Sequence, residues 1–576
     1  MDSHELDKYA DFENNSDVKL GGPKRRYGKG DETKIVLATS VCEWVLRTPI
    51  ILEGQPFTFT GHEYLVDEYL LTEKTEVNMK AAQMGFTIKA LLKSMHKALY
   101  LYPKGVLYLF PTAVDVTEFS KSRYSRMLEE NLLLKESIRD TDAANLKAMG
   151  LGYFYFRGMR SRTGLKSIPV DCVVFDEYDE QIPQTTKEAH DMTSPEMALE
   201  RMSHSDFKHS IYLSTPTLPD FGIHALFKNT TQNHWFIICS HCGKETCLEL
   251  EVIRNAGDEL RVLRRQADGM VIRACKYCGR EIFPHDGRWV KRIGGKKGIP
   301  YGSHISQLNS CKMSPRDMLE AYEIHVLRIR RPLHGKPNEQ EFWNSKIGWP
   351  FVAAQDRLTK EKVRACCGTH GLKTYDMGPC AMGVDQNNGI HVVILTLRMD
   401  RPVVLYLGIH KEWEELSTLM RAFNVRCCVV DALPEKRNAR RFAQVHKGKV
   451  WLNYYDSNRK GMYRWDEANQ QLNVDRTESL DESHMWLAEE EIVLPKSDAA
   501  ITEQFINHCH NVAKRRIEEK NGMIRYTYVS LGGEDHFRHA FNYCIIASSR
   551  ISKRVSQVDD INVLEQIVMA EKDWDI

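Results

Sequence analysis

Between Glu43 and Ile238, short apolar runs alternate with amphipathic stretches. Val106–Phe110, Val170–Phe175 and Ser210–Ser214 predict buried strands, and Ile88–Leu101 and Val114–Leu134 predict helices between them. Strands alternating with helices point to a parallel α/β sheet. From 239 to 300 the pattern gives way to paired cysteines, glycines and basic residues. Residues 301–375 read as a helical connector. From Cys380 the pattern restarts as β-hairpins followed by α/β, and no internal repeat interrupts it. The expected organisation is an N-terminal arm (1–40), an α/β domain (41–238), a cysteine-rich insertion (239–300), a connector (301–375), a second α/β domain (376–550) and an acidic tail (551–576).

Composition narrows this picture. At roughly 150 residues per domain, 576 residues give three to four domains. Hydrophobic content of 42% with 27% charged residues excludes whole-chain disorder. The formal net charge of +1 argues against a uniformly basic DNA-coating protein, though not against local patches. No apolar run reaches the ~18 residues of a membrane span, and Met1–Asp17 has no signal-peptide core. A reducing cytoplasm is therefore expected, with the 15 cysteines as buried thiols or metal ligands.

The first candidate site is for a nucleotide. The apolar run from Val170 ends in Asp176-Glu177. In an ATPase the first acid of such a pair holds Mg²⁺ and the second polarises the attacking water. The alternative is two chance acids at a strand end. A phosphate loop is also needed, and GxxxxGK[ST] is absent. Lys80-Ala81-Ala82-Gln83-Met84-Gly85-Phe86-Thr87 follows a strand-like Glu76–Met79 and opens the helix Ile88–Leu101. It offers backbone N–H groups at a helix start, a flexible glycine, a hydroxyl and a lysine. An ordinary strand-to-helix turn is the competing reading. Ser214-Thr215-Pro216-Thr217 ends another strand in hydroxyls, the layout of a motif that senses hydrolysis. Arg157–Lys166 is basic and contains Arg160 and Arg162, candidates for an arginine finger or a DNA-phosphate contact. Phe57–Tyr64 is a weaker candidate to flank an adenine.

The second constellation is Cys239-x-x-Cys242-Gly243 with Cys275-x-x-Cys278-Gly279. Two CxxCG knuckles suit tetrahedral zinc in a ribbon, and such sites are usually structural. Cys247 and His285 lie nearby. Residues 254–297 hold 12 Lys/Arg against 5 Asp/Glu, which favours a nucleic-acid backbone over a merely solvated face.

The third constellation starts at Ala381–Asp385, an apolar strand ending in an acid. Ile390–Leu397 and Val403–Ile409 follow as strands, then a helix Trp413–Phe423, then a strand Val425–Val430 ending in Asp431. This is the order of an RNase H-like core, and it sets Asp385 beside Asp431. Close carboxylates need bridging cations, so the pair predicts a two-metal site for phosphodiester cleavage. A late helix opening at Gly533 offers Asp535, His536 and His539 as further ligands. The competing reading is that each acid caps an element.

Taken in this order, the three constellations resemble the large terminase subunit of tailed phages, in its lambda-like branch. The resemblance spans roughly residues 40–550. The deviant phosphate loop with lysine first matches 80–87, the acid pair matches Asp176-Glu177, and the coupling motif matches Ser214–Thr217. The nuclease opening matches Gly383-Val384-Asp385 and the second acid matches Asp431. The late motif departs from the family's pattern: His539 stands where a second Asp is common. The resemblance implies a P-loop (RecA/ASCE-like) ATPase, a zinc-ribbon insertion and an RNase H-like nuclease. It implies ATP, Mg²⁺ or Mn²⁺, and zinc. Lys80–Thr87 and Asp176 would bind ATP, Glu177 would activate water, and Asp385, Asp431, Asp535 and His539 would hold the nuclease metals. It further implies a motor that moves double-stranded DNA into a procapsid and cuts the concatemer. Its partners would be a small terminase subunit, the portal protein and copies of itself in a ring, in the host cytoplasm. The arm, with Lys24-Arg25-Arg26 and Lys29, and the tail (six acids and one Lys over 559–576) are candidate docking segments. Two other classes compete: a repair translocase or helicase-nuclease, and a non-catalytic zinc-ribbon DNA-binding protein.

Overall fold

The computed structural model describes residues 40–551, apart from 144, 160–164, 166–167, 182–193, 295–297, 334–336, 354–355, 398–400, 457–462, 519–523 and 532. The arm, the acidic tail, Arg160 and Arg162 thus lie outside the described residues.

An 11-stranded sheet organises the first half. Its central strands are β1 (Thr75–Lys80), β2 (Val106–Phe110), β3 (Gly152–Gly158), β4 (Cys172–Asp176), β5 (His209–Ser214), β6 (Asn233–Ile238), β7 (Gly287–Lys291) and β8 (Tyr301–Ile305). The parallel order is β6-β8-β1-β5-β4-β2-β3. Alternation along β4 shows why the strands form. Cys172 and Val174 join the core under helix α1 (Phe86–Tyr100), whereas Val173 and Phe175 join the opposite core with Ile223 and Phe227. A sheet covered on both faces needs such near-continuous apolar strands, and each fully buried aliphatic side chain contributes about 1.5–3 kcal/mol.

Two expectations are corrected. Residues 301–305 are not the start of a helical connector; they form β8, between β6 and β1. β7 pairs antiparallel with β6, so the cysteine-rich segment is an excursion from within this sheet. Between the cysteine pairs, helix α2 (Leu248–Arg254) precedes a short antiparallel pair, Leu263–Arg265 with Val271–Arg273. The single helix expected over 114–134 is broken at Asn131. The Asn131 amide donates to the Met127 and Ile51 carbonyls and its oxygen accepts from Ile51 N–H, which competes with helix continuation.

A seven-stranded sheet organises the second half: β9 (Cys380–Asp385), β10 (Ile390–Thr396), β11 (Val403–His410), β12 (Val425–Asp431), β13 (Val450–Tyr455), β14 (Tyr463–Asp466) and β15 (Gln471–Val474). The order is β11-β10-β9-β12-β13-β15-β14. β9 to β11 form an antiparallel meander, and β12 lies parallel to β9 after helix α3 (Trp413–Ala422). Cys380, Met382 and Val384 pack toward α3, while Ala381 faces the core of helix α4 (residues 536–551). By the strand's period of two, Gly383 and Asp385 face α4 as well. A hairpin of β16 (Val512–Glu518) and β17 (Ile524–Ser530) rests against Leu218 and Phe221 of the first half.

Candidate active sites

Parity assembles the nucleotide site. Lys80 ends β1 and Asp176 ends β4, both on the α1 side, with β5 between them. Thr87 stands in the first turn of α1 and donates to Asp176 Oδ1 at 3.3 Å, and Tyr108 OH donates to Oδ2 at 2.9 Å. Glu177 would point to the opposite face if β4 continued. Its φ of 55° turns the chain instead, a strained conformation for a non-glycine residue. The turn brings Glu177 Oε1 to 2.8 Å from Lys80 Nζ and Oε2 to 3.4 Å from Thr215 N. Lys80 Nζ also donates to Thr215 Oγ1 at 3.4 Å. Burial, and then the neighbouring Glu177 charge, pushes Asp176 up to about 6.

Gly85 caps α1 with φ 81°, and a Cβ there would lie 2.9 Å from Leu65 Cδ1. The loop is braced from below. Ala81 N–H donates to Ile305 O at 2.9 Å and Ala82 N–H to Ser345 O at 2.8 Å. These two amides are therefore committed to the scaffold, which moves the phosphate-facing part of the expected 80–87 loop toward Gln83–Thr87. Phe57 and Phe59 pack edge-to-face against Tyr69, and Tyr64 OH donates to Met84 O at 3.1 Å. That aromatic run supports the loop from the core. Beneath α1, Lys89 and Lys93 meet Glu68 and Glu76 in a fully buried network. Burial alone would raise Glu76, but Lys93 and Lys89 hold it far below the carboxylate range.

The segment Ser214–Thr217 leaves the end of β5. Ser214 Oγ accepts from Asp179 N at 3.2 Å, and Thr217 binds Asp179 Oδ2 through both N–H and hydroxyl. Next to Asp179, Glu180 pairs with Arg515 of β16 at 2.6 Å, a direct link to the second half.

The four cysteines of the CxxC pairs converge. Cys239 and Cys278 sulfurs are 3.6 Å apart and those of Cys242 and Cys275 3.7 Å apart. Burial raises Cys275, but the Cys278 and Tyr277 backbone N–H groups outweigh it and bring the thiol down to about 6. The basic segment 254–297 is less available than its count suggests. Arg273 is buried and donates to the Leu308, Ser310 and Met313 carbonyls. Arg254, Arg265, Lys276 and Arg288 pair with glutamates.

In the second half Asp385 and Asp431 end the adjacent strands β9 and β12. Gly383 allows α4 to lie on β9, since a Cβ there would be 2.0 Å from Ala540 O and 2.2 Å from Cys544 N. From α4, His536 Nδ1 lies 3.1 Å from Asp385 Oδ2 and Tyr543 OH donates to Asp431 Oδ2 at 3.0 Å. These residues are seven apart, two turns along one face. Burial, and then Asp385, pushes Asp431 up to about 6. Burial opposes charge on His536, yet Asp385 overrides it and raises the ring. Asp535 lies at the start of α4, with Oδ2 3.6 Å from His539 Nε2. The expectation for the late ligand is thus adjusted. His536, not His539, meets a strand aspartate, while His539 faces Asp535 and Tyr455. His391 and His508 escaped sequence reasoning. Their rings lie 4.8 and 6.1 Å from that of His536, and His391 is the register partner of Asp385 across the hairpin. Only the hairpin count carried a signal for His391, and nothing local marked His508.

The first half is therefore an α/β domain with a phosphate-loop and acid-pair site, joined to a second α/β domain that carries converging acids. Residues 69–295 match the family model for the phage terminase large subunit gpA, ATPase domain. The chain carries the ATPase domain of the phage terminase large-subunit family. Among solved structures, the HK97 bacteriophage large terminase is 11% identical, with 88% of this chain and 99% of that chain covered at a TM-score of 0.49. The large terminase of a thermophilic bacteriophage, solved in complex with ADP, is 11% identical, covering 89% and 97% at 0.26. The large terminase nuclease of thermophilic phage G20c is 9% identical, covering 32% and 96% at 0.22. No curated protein matches the chain. No helix among the described residues is long and apolar enough to cross a membrane.

Proposed function

We propose that this protein is the large subunit of a DNA-packaging motor, which hydrolyses ATP to translocate viral duplex DNA into a procapsid and cuts the concatemer with its second domain. The observation that carries the reading is the meeting of Lys80, Asp176, Glu177 and Thr215, at the ends of three adjacent parallel strands, with Thr87 at the start of α1. Mg²⁺ held by Thr87 and Asp176 would neutralise charge on the phosphates. Lys80 leaves Glu177 for the phosphates when ATP enters. Glu177, released, orients and deprotonates the attacking water. Thr215, bound to both residues, senses that exchange and passes it through Asp179 and Glu180 to Arg515. Gln83–Thr87 contribute N–H groups at the start of α1.

In the second domain, Asp385, Asp431 and Asp535 would grip divalent cations for phosphodiester cleavage, with His536 orienting Asp385 and Tyr543 orienting Asp431. The three aspartates do not gather as tightly as the cysteine cluster, a spread that two ions about 3.5–4 Å apart span better than one. The cysteine cluster fits zinc: four Zn–S bonds of about 2.3 Å in a tetrahedron set sulfurs about 3.8 Å apart, close to the 3.6 and 3.7 Å seen. The zinc would be structural and would hold the ribbon against the sheet. Partners would be duplex DNA, a small terminase subunit, a portal and further copies of this chain.

The decisive experiment is packaging of duplex DNA into procapsids with ATP. DNA should become nuclease-protected only when this protein is present. ATP-dependent strand separation on a duplex substrate, without packaging, would instead identify a helicase-nuclease.

A further inference from the structure

His234 ends no motif and takes no part in either reaction, yet it belongs to an unusual cluster. Its strand β6 runs parallel to β8 with His234 opposite His304. Helix α2 starts directly after Cys247 and lays Glu249 over both rings. All three side chains are at most 1% exposed. One ligand atom from each lies within 4.8 Å of the others, a convergence shared among the described residues only by the four cysteines.

The two Nδ1 atoms are 3.3 Å apart, and His234 Nδ1 is 3.8 Å from Glu249 Oε1. Metal–nitrogen bonds of about 2.0–2.1 Å at a tetrahedral angle require about 3.3–3.4 Å between donors, so the imidazoles are already at ligand spacing. A small shift of the carboxylate completes the set. The outer contacts have the form that metal ligands use. His304 Nε2 faces Ile347 O at 3.1 Å, and donating that proton leaves the Nδ1 lone pair toward the cluster. Glu249 Oε2 accepts from Asn309 Nδ2 at 2.8 Å and Ser306 Oγ at 3.4 Å, which aims Oε1 at the imidazoles. That Oε1 has no hydrogen-bond partner. Without a cation, one imidazole proton could bridge the two Nδ1 atoms, but a buried carboxylate oxygen would stay unpaired, at a cost of about 1–3 kcal/mol or more.

We infer that His234, Glu249 and His304 form a second metal site, separate from the cysteine cluster, for a divalent transition metal with zinc as the first choice. Two imidazoles and a carboxylate suit that ion class, and a fourth position is left for water. The site joins α2, at the root of the ribbon, to β8. The next residue of β8, Ile305, accepts the Ala81 N–H of the phosphate loop. The metal would therefore fix the floor of the nucleotide site, and these three are positioning residues.

The test is metal content of the purified full chain, together with cobalt substitution. Wild type should carry two equivalents of zinc per chain. His304→Asn should carry one and keep the near-ultraviolet thiolate-to-cobalt band. Cys242→Ser should lose that band and keep one equivalent. Cobalt titration of wild type decides the matter even if a variant misfolds: a second equivalent taken up without added thiolate absorbance supports the site. Saturation at one equivalent, with the thiolate band complete, overturns it and leaves a protonated histidine pair beside Glu249. Loss of the thiolate band alone would count against the ribbon zinc and not against this site.

Discussion

The nucleotide site and the nuclease-like site solve one electrostatic problem in two ways. Each ends a buried strand in an aspartate beside a second acid, and each pushes one aspartate up to about 6. In the first, both acids are consecutive, and a lysine from the neighbouring loop sits on Glu177. In the second, the acids come from two strands, and the side chains that meet them from α4 are a histidine and a tyrosine. The first site carries its own cation, which can be exchanged for the charge of an incoming nucleotide complex. Among the described residues the second has no lysine or arginine paired with Asp385 or Asp431, which under the proposed reading leaves bound metal to supply the positive charge. Under the proposed function, a motor site would empty and refill every cycle, whereas a nuclease site would wait for DNA and metal together.

The comparison breaks most sharply at the acids themselves. Asp385→Asn should lower DNA cleavage by at least about 10³-fold, the equivalent of several kcal/mol of metal-based stabilisation, and leave ATP turnover intact. Cleavage that persists in a plasmid-nicking assay would remove Asp385 from the site. Glu177→Gln should lower hydrolysis by about 10²–10⁴-fold, the usual contribution of a general base, with nucleotide binding and cleavage retained. Retained DNA-stimulated phosphate release would refute the base assignment.

Gly383→Ala should cost about 1–3 kcal/mol of stability through overpacking against Ala540 and Cys544, and cleavage should fall with it while ATPase survives. Equal melting and cleavage in the variant would mean α4 does not rest on β9 as described. Thr215→Val should be milder. Losing one hydrogen bond of about 1 kcal/mol predicts roughly a 5-fold loss in hydrolysis and weaker coupling to DNA, read as the ratio of DNA-stimulated to basal turnover.

The smallest effect is on pH dependence. Folded Asp176 and Asp431 titrate near 6, above their unfolded value, because burial disfavours their charge. The folded state then binds more protons between about pH 4 and pH 6, so metal-free stability falls as pH rises through that window. Added Mg²⁺ should raise Tm more at pH 7 than at pH 5. An equal shift at both values would argue that neither aspartate meets the ion.

Legibility followed sequence distance. Asp176-Glu177 and each of the two CxxC pairs were readable because their residues lie within a few positions of one another. The meander and the Asp385–Asp431 pairing were readable from strand counting. β8 was missed because Tyr301–Ile305 is a short run with Ser303 and His304 inside, and its strand character comes from neighbours on both sides. The role of His536 was not legible because Asp535, His536 and His539 were all in a position to face the acids, and Gly383 sets how closely α4 packs.

The sequence by itself determined which strands are buried on both faces and which of them end in acids, because period and polarity are local properties of a chain. Tertiary structure decided what neutralises each acid, which loop amides are committed to the scaffold, and that His234, Glu249 and His304 meet at all. Those are questions of distance between segments far apart in sequence, such as Ala82 and Ser345 or Asp385 and His536, and burial makes their answers consequential, since an unpaired polar atom costs little in water and much inside a core.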